Sequence, residues 1–164
     1  MKTLMQAYDE YADNKMASKE ALKEITRKVK DFLKSIKKDK DPDFRKCFKG
    51  YLRHTLIVNN PEFGNGDQIL TSPAAQEFYR SKIEDTVDSE QIREYVSFYE
   101  DKKKEAKVYN NAMKDIVEDY CDTNDMIQKP NLRTFFNYRF QKQVKGESPI
   151  DSIEEYEAML ENGQ

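Results

Sequence analysis

Basic side chains recur along the helical segments of this sequence, and they are its best candidates for binding a ligand. The sequence has no Asn, Gln or Arg pair at a helix start that would hydrogen-bond to base edges. The expected ligand is therefore a nucleic acid that is recognised by its phosphate backbone and its shape. If each short helix folds back across the end of a long one, these cations line one concave face. The cations are Lys15, Lys23, Lys30, Lys34, Lys102, Lys103, Lys107, Lys114, Arg45, Lys49, Arg53, Arg133, Arg139 and Lys142.

The charge distribution supports a polyanion as ligand. The 164 residues carry a net charge of -3, but residues 1–60 hold 15 Lys and Arg against nine Asp and Glu. Residues 27–53 alone hold eleven bases and four acids, whereas residues 146–164 hold six acids and no base. Counterions are displaced locally, where the lysines lie, so an acidic protein can still bind nucleic acid through one face. Such charge patterning is also common on helices that are merely solvated.

Catalytic chemistry has little support in the sequence. His54 is the single histidine, and no serine or cysteine lies in a recognisable nucleophile motif, so we expect His54 at the surface or at a helix cap. Cys47 and Cys121 do not form a CxxC pair, and together with one histidine they are too few for a structural zinc site. We therefore predict reduced thiols, no metal, no cofactor and no enzymatic activity.

A metal-dependent nucleotide hydrolase is the weakest alternative. Such all-α enzymes use paired acids on facing helices, but the candidate acids here lie among lysines and aspartates on the predicted solvent side. The sequence also has no Gly-rich phosphate loop. The candidate acids are Glu100, Glu105, Glu118 and Asp119.

The aromatic side chains are predicted to form the core. Ten Tyr and nine Phe occur mostly on the apolar stripes of predicted helices, although aromatic rings can also stack on unpaired bases. No apolar run approaches the roughly 18 to 20 residues that span a bilayer, and the first residues lack the apolar segment of a signal peptide. We expect a cytoplasmic protein with no membrane partner.

The first half of the chain predicts three helices. Apolar positions repeat at three and four residues over about 3–36, and the residue before Pro42 disfavours helical geometry. A shorter helix over about 43–56 follows, and then a loop. The pair Ser72-Pro73 predicts the next helix, because Ser caps well and Pro suits the first helical position.

The second half predicts the same order of elements. A long helix opens at about residue 88 and ends around 121–125. A short aromatic helix should follow with Asn131 as its cap and stop before Gly146, and Ser148-Pro149 should start the last helix.

Three landmarks recur in the same order in the two halves. Residues 21–25 match 112–116, residues 44–48 match 132–136, and one Ser-Pro pair matches the other. These matches predict a tandem duplication with modules 1–87 and 88–164, unless two amphipathic helical segments are alike by chance. The predicted fold is all-α: two similar modules, each with a long helix, a short helix and a Ser-Pro-capped helix, in coiled-coil-like packing.

The second half also resembles two small families of DNA-binding proteins. The run from Glu100 to Ile116, which contains YNNAMKDI, is followed by Leu132-Arg133 and an aromatic helix with Arg139. This pattern and the acidic terminal helix are similar to the double-stranded-DNA-binding protein (DsbA) of T-even-type phages. The long helix and the Leu-Arg helix are similar to the GapR-like nucleoid-associated family. The resemblance covers roughly residues 91–160, and more faintly 4–85.

The resemblance implies a non-enzymatic helical protein that grips double-stranded DNA by its backbone. It implies a role in transcription or nucleoid organisation, a phage-encoded origin with the host cytoplasm as location, and dimers or another homo-oligomer. Two departures are that Lys15 matches only after a one-residue slip and that Tyr51 stands where the second module has Arg139. Carried over by position, the DNA-binding residues are Lys107, Lys114, Arg133 and Arg139, with Lys15, Lys23, Arg45 and Lys49 in the first module.

A helical protein-protein interaction factor remains the main alternative. In that case the charged faces dock a host protein that the factor inhibits or redirects. The acidic tail around Glu154, Glu155 and Glu157 would then matter as much as the lysines.

Overall fold

The computed structural model describes residues 1–64 and 73–162, and within these ranges the chain is all-α and contains no strand. None of the helices in these ranges is both long and apolar enough to cross a membrane. The α-helices are α1 (Leu4–Ser35), α2 (Pro42–Asn59), α3 (Pro73–Tyr79), α4 (Ser89–Asp122), α5 (Lys129–Lys145) and α6 (Ile153–Glu161).

Helix α2 begins as the sequence predicts and continues further. The Asp41 carboxylate accepts a hydrogen bond from the Phe44 amide at 3.1 Å, and Pro42 occupies the first turn. The helix continues past the predicted end at residue 56 to Asn59. It stops at Asn60, because Pro61 disfavours helical geometry in the residue before it.

The region after α2 contains two short irregular turns. Pro61–Phe63 is a 3-10 turn, and α3 is followed directly by a π-helical turn over Arg80–Glu84 that buries Ile83. Pro73 begins α3 as predicted, whereas its predicted cap Ser72 lies outside the described residues. The predicted loop over residues 58–72 is described only as far as residue 64.

Two predicted helix starts in the second half are wrong. Helix α5 begins at Lys129 after Gln128, so Asn131 lies inside its first turn instead of capping it. Helix α6 begins at Ile153 and not at Ser148-Pro149.

The physical reason for the late start of α6 is a better cap four residues downstream. The Ser152 hydroxyl accepts a hydrogen bond from the Glu155 amide at 3.1 Å, which is the Ser-x-x-Glu pattern of a capping box. The Ile150 amide instead donates to the Tyr138 hydroxyl at 3.2 Å. The second Ser-Pro pair therefore does not cap a helix, and the duplication itself stays a prediction.

The chain forms two compact units, and their boundaries fall inside both long helices. The continuous unit comprises residues 20–106, and the split unit combines residues 1–19 with 107–164. This grouping differs from the predicted modules 1–87 and 88–164, because residues 88–106 pack with the first half of the chain.

The split unit has an aromatic core built around α5. Phe136 is fully buried, and its ring centre lies 5.7 Å from that of Tyr8 and 5.2 Å from that of Tyr11. The Tyr8 hydroxyl donates to Gln143 Oε1 at 2.7 Å, so the polar tip of this buried ring is also satisfied. The other buried residues of this core are Ala7, Ala12, Val117, Cys121, Leu132, Phe135, Phe140, Ile153 and Tyr156.

The continuous unit has a second core between α1, α2 and the turn after α3. The rings of Phe32 and Phe48 lie 5.2 Å apart between centres, and both side chains are buried. The predicted surface position of His54 is wrong: it is buried, and its ring lies 5.6 Å from that of Tyr79 because α2 packs against α3 here. The other buried residues of this core are Ile25, Val29, Leu33, Tyr51, Leu52, Ile83, Val87 and Ile92.

Candidate nucleic-acid interface

A groove between α1 and α2 in the continuous unit gathers basic side chains. Its volume is about 320 Å³, and Val29 and Leu33 form its apolar base. Asp39 is the single acid among its lining residues. We call this depression the basic groove, and its four exposed basic residues, here called the groove cations, are Lys30, Lys34, Arg45 and Lys49.

The spacing of these residues explains why they converge. Lys30 and Lys34 are one helical turn apart on α1, and so are Arg45 and Lys49 on α2, so each pair projects from one face of its helix. The buried Phe32 lies on the opposite face of α1, and the buried Phe48 lies beside the Arg45 and Lys49 face of α2, about 80° around the helix. The same apolar periodicity that builds the core therefore places both cationic faces on the rim of one groove.

The groove cations have no carboxylate partner within salt-bridge distance among the described residues. Other cations of this unit are paired: Lys28 lies 3.7 Å from Glu94, and Lys102 forms ion pairs with Glu24 and Glu105. The positive charge of the groove is therefore not neutralised by these ion pairs and is available to an anion.

The basic groove continues into a second depression, which we call the apolar pocket. It also has a volume of about 320 Å³, and it shares Thr26, Val29 and Lys49 with the basic groove. The other residues that line it are Leu22, Ile25, Leu52, Tyr99 and Lys103.

Lys103 lies at the rim of the apolar pocket, where it is half-buried. Its ammonium group is 5.5 Å from the ring centre of Tyr99. Burial lowers the pKa of Lys103, and the neighbouring Arg53 guanidinium lowers it further. Both effects disfavour the ammonium form, so an anion bound here would relieve an electrostatic penalty.

Two of the predicted DNA-binding residues, both on α1, have contrasting surroundings. Lys23 is exposed and, two turns before Lys30, extends the cationic face of α1. Lys15 lies in the split unit, where it donates to Asn137 Oδ1 at 2.7 Å and covers the Phe140 ring at 5.1 Å. Burial and the neighbouring Lys19 lower the pKa of Lys15. Lys15 is therefore largely occupied within its own unit.

The four second-module residues carried over from the resemblance, Lys107, Lys114, Arg133 and Arg139, all lie in the split unit. Lys114 and Arg133 are exposed, and Arg133 is close enough to Tyr11 to lower its pKa, although burial raises that pKa overall. Lys107 is half-buried and already has a partner within the protein. Of this set, Lys114 and Arg133 have the exposure that a phosphate contact requires.

Arg139 is bound inside the split unit. Its side chain is 13% exposed, and its Nη1 donates to the Ile150 carbonyl at 2.9 Å and approaches Asp151 Oδ1 at 3.4 Å. The guanidinium also covers the Tyr8 ring at 5.2 Å. These contacts tether the segment before α6 to α5, and they leave little of this side chain for a ligand.

We predict that Arg139→Met affects stability and not DNA affinity. The methionine keeps part of the packing on Tyr8 but leaves the Ile150 carbonyl without its charged donor, so the free energy of unfolding should fall by about 2 kcal/mol. Urea denaturation followed by circular dichroism measures this change. The exposed Arg133→Gln is the matched control on the same helix and should change stability by less than about 0.5 kcal/mol. Equal stability losses in the two variants would contradict this assignment.

All four groove cations are among the basic residues singled out in the sequence, but only Arg45 and Lys49 are among the predicted DNA-binding residues. The signal that could have added Lys30 and Lys34 is their spacing of one helical turn on α1. Lys103 is also among those basic residues, but spacing does not reveal its place at the apolar pocket, because that depends on how α4 packs within the continuous unit.

The described residues offer few sites for other chemistry. No group of three or more His, Cys, Asp or Glu side chains in residues 1–64 and 73–162 could hold a metal ion. Cys47 and Cys121 are free thiols, and burial raises the pKa of both. A thiol with a raised pKa is a poor nucleophile. No protein-family model, curated protein or solved structure matches this chain.

Proposed function

We propose that this protein is a non-enzymatic binder of double-stranded DNA that contacts backbone phosphates through the basic groove. The observation that carries the proposal is the convergence of four exposed cations from two helices on a groove whose lining contains one acid. The earlier resemblance agrees with this function, and it extends the proposal to transcription or nucleoid organisation in a phage-encoded protein.

The dimensions of the cationic face support binding to a duplex backbone. Lys23 to Lys34 spans eleven residues of α1, which is about 16 Å along the helix axis. One DNA strand places a phosphate about every 3.4 Å along the duplex axis, so this face is long enough to meet about five successive phosphates. Lysine predominates in the set, and its point charge neutralises phosphates without selecting a base.

A salt series tests this function. If about six phosphates are contacted, the affinity for random duplex DNA should fall by about 10³-fold between about 50 and 200 mM salt. Gel shift or fluorescence anisotropy with the full chain measures the slope of log affinity against log salt. A flat response, or no binding at the lowest salt, would contradict the proposal.

A second function, the docking of another protein, is favoured by the outer face of α6. Ile153 and Tyr156 bury the inner face of this helix, while Glu154, Glu155 and Glu161 are exposed. A face with several acids and no base attracts a basic partner surface. If this function replaces DNA binding, no duplex should bind even at the lowest salt, so the same salt series separates the two functions.

A further inference from the structure

We infer that the apolar pocket receives one unpaired nucleotide of a DNA strand whose phosphates lie in the basic groove. This inference rests on the proposed function and deepens it, because it assigns a preferred form of the DNA. It predicts that the protein prefers DNA with an overhang or frayed end to a fully paired duplex.

The lining of the apolar pocket differs from that of a simple phosphate site. Ile25, Val29 and Leu52 are buried core residues whose side chains reach the pocket, and Leu22 is 38% exposed beside them. Apolar walls with few polar groups are typical of sites for small molecules, and a volume of about 320 Å³ lies at the lower end of such sites. A phosphate needs no apolar wall, so the ligand should also present an apolar surface.

A nucleobase supplies the surface that these walls would cover. Tyr99 is one of the residues that line the pocket, and aromatic rings stack on bases without regard to sequence. A base that is paired and stacked inside a duplex exposes only its edges. The base that enters this pocket must therefore be unpaired.

The charges around the pocket complete a nucleotide site. Lys103 is half-buried at its rim without a carboxylate partner among the described residues, with Arg53 close by. Lys49 lines both depressions. A nucleotide with its base between Leu22 and Tyr99 can thus place one phosphate at Lys49 and Lys103, from which the next phosphates of the strand continue along the groove cations.

The size of the pocket argues against an acidic helix as the occupant. A helix with its side chains is about 10 Å across, which is wide compared with a depression of about 320 Å³. The area left for contact would cover little of an apolar helix face. A single base with its sugar and phosphate matches the available volume better.

The test compares two DNA molecules of equal charge. One is a blunt duplex, and the other is a shorter duplex with a single-stranded 3′ overhang that carries 2-aminopurine and has the same number of phosphates. We expect the overhang DNA to bind about tenfold more tightly at fixed salt, with quenching of the 2-aminopurine fluorescence by stacking. Equal affinities together with unchanged fluorescence would overturn the inference.

Variants at Thr26 assign the effect to the pocket. Thr26 is exposed and lines both the apolar pocket and the basic groove, so Thr26→Phe should fill the pocket without changing charge or the core, and Thr26→Val is the matched control. The quantity compared is the ratio of overhang to blunt-duplex affinity, in which an effect on the groove cancels. The tenfold preference and the quenching should vanish in Thr26→Phe and persist in Thr26→Val. A preference that survives in Thr26→Phe would overturn the inference, as would displacement of the overhang by an acidic helical peptide at a lower concentration than unlabelled overhang DNA.

The failure of this inference is distinguishable from failure of the proposed function. If the blunt duplex binds with a steep salt dependence but the overhang DNA binds no more tightly, phosphate binding in the basic groove is supported. The inference of a nucleotide site in the apolar pocket is then rejected. If no duplex binds at low salt, the proposed function falls, and 2-aminopurine nucleoside monophosphate alone then reports on the pocket. Quenching of this nucleotide that is lost in Thr26→Phe would retain the pocket as a nucleotide site.

Discussion

Replacing all four groove cations by glutamine is expected to weaken duplex binding by about 10³-fold at about 100 mM salt. Each lost phosphate contact removes about 0.9 from the slope of log affinity against log salt, so the four together should lower its magnitude by about 3.6. All four side chains are exposed, and none belongs to the buried core, so the fold should remain intact. Anisotropy titrations at several salt concentrations measure both quantities.

A control with the same change in charge shows whether the loss of affinity comes from the groove contacts or only from the more negative net charge of the protein. Replacing four exposed cations of the split unit by glutamine alters net charge equally, but we expect only a small loss of affinity. This control includes two residues that the resemblance nominates as DNA contacts. A larger loss in the control than in the groove variant would show that the resemblance identifies the site better than the groove does. The four control residues are Lys114, Lys129, Arg133 and Lys145.

Phe136→Ala should have the largest effect on stability, with the free energy of unfolding of the split unit lowered by about 4 kcal/mol. Phe136 is fully buried, and its ring touches those of Tyr8, Tyr11 and Phe135, so its removal leaves a cavity and deletes three aromatic contacts. Urea denaturation followed by tyrosine fluorescence is suitable, because the chain has no Trp and six of its ten tyrosines, including Tyr8 and Tyr11, lie in the split unit.

Val144→Ala provides the matched control for this core variant. It truncates a side chain on the same helix that is 65% exposed, and it should change the free energy of unfolding by less than about 0.5 kcal/mol. A small effect of Phe136→Ala, comparable with that of the control, would contradict the packing described for α5.

Helix periodicity in the sequence predicts most of the fold. The all-α class and the bounds of α1 and α4 are confirmed to within a few residues, because long amphipathic stripes and strong breakers such as Pro42 act locally. Local sequence signals for the start of a helix are less reliable where two of them lie close together and compete. Ser148-Pro149 and Ser152 both qualify as helix starts, and the second prevails because the Ser152 hydroxyl accepts a hydrogen bond from the Glu155 amide.

The site was harder to predict because it depends on which faces of the helices pack. Arg139 carries the same charge as Arg133 on the same helix, yet it is bound to Ile150 and Tyr8 while Arg133 is exposed. Sequence spacing does not reveal this difference, because the partners of Arg139 come from distant or irregular segments. Residues 88–106 group with the first half of the chain through contacts between distant segments, and sequence spacing does not reveal these contacts either.

The discontinuity of the split unit has a consequence for folding during synthesis. The continuous unit is complete once residue 106 has left the ribosome, so its core can form early. The first 19 residues must wait for partners such as Asn137 and Gln143, which are more than 120 positions downstream of the tyrosines that bind them. Until those residues are synthesised, the apolar face around Tyr8 and Tyr11 lacks the partners that bury it in the folded unit, so it stays exposed to association while synthesis continues.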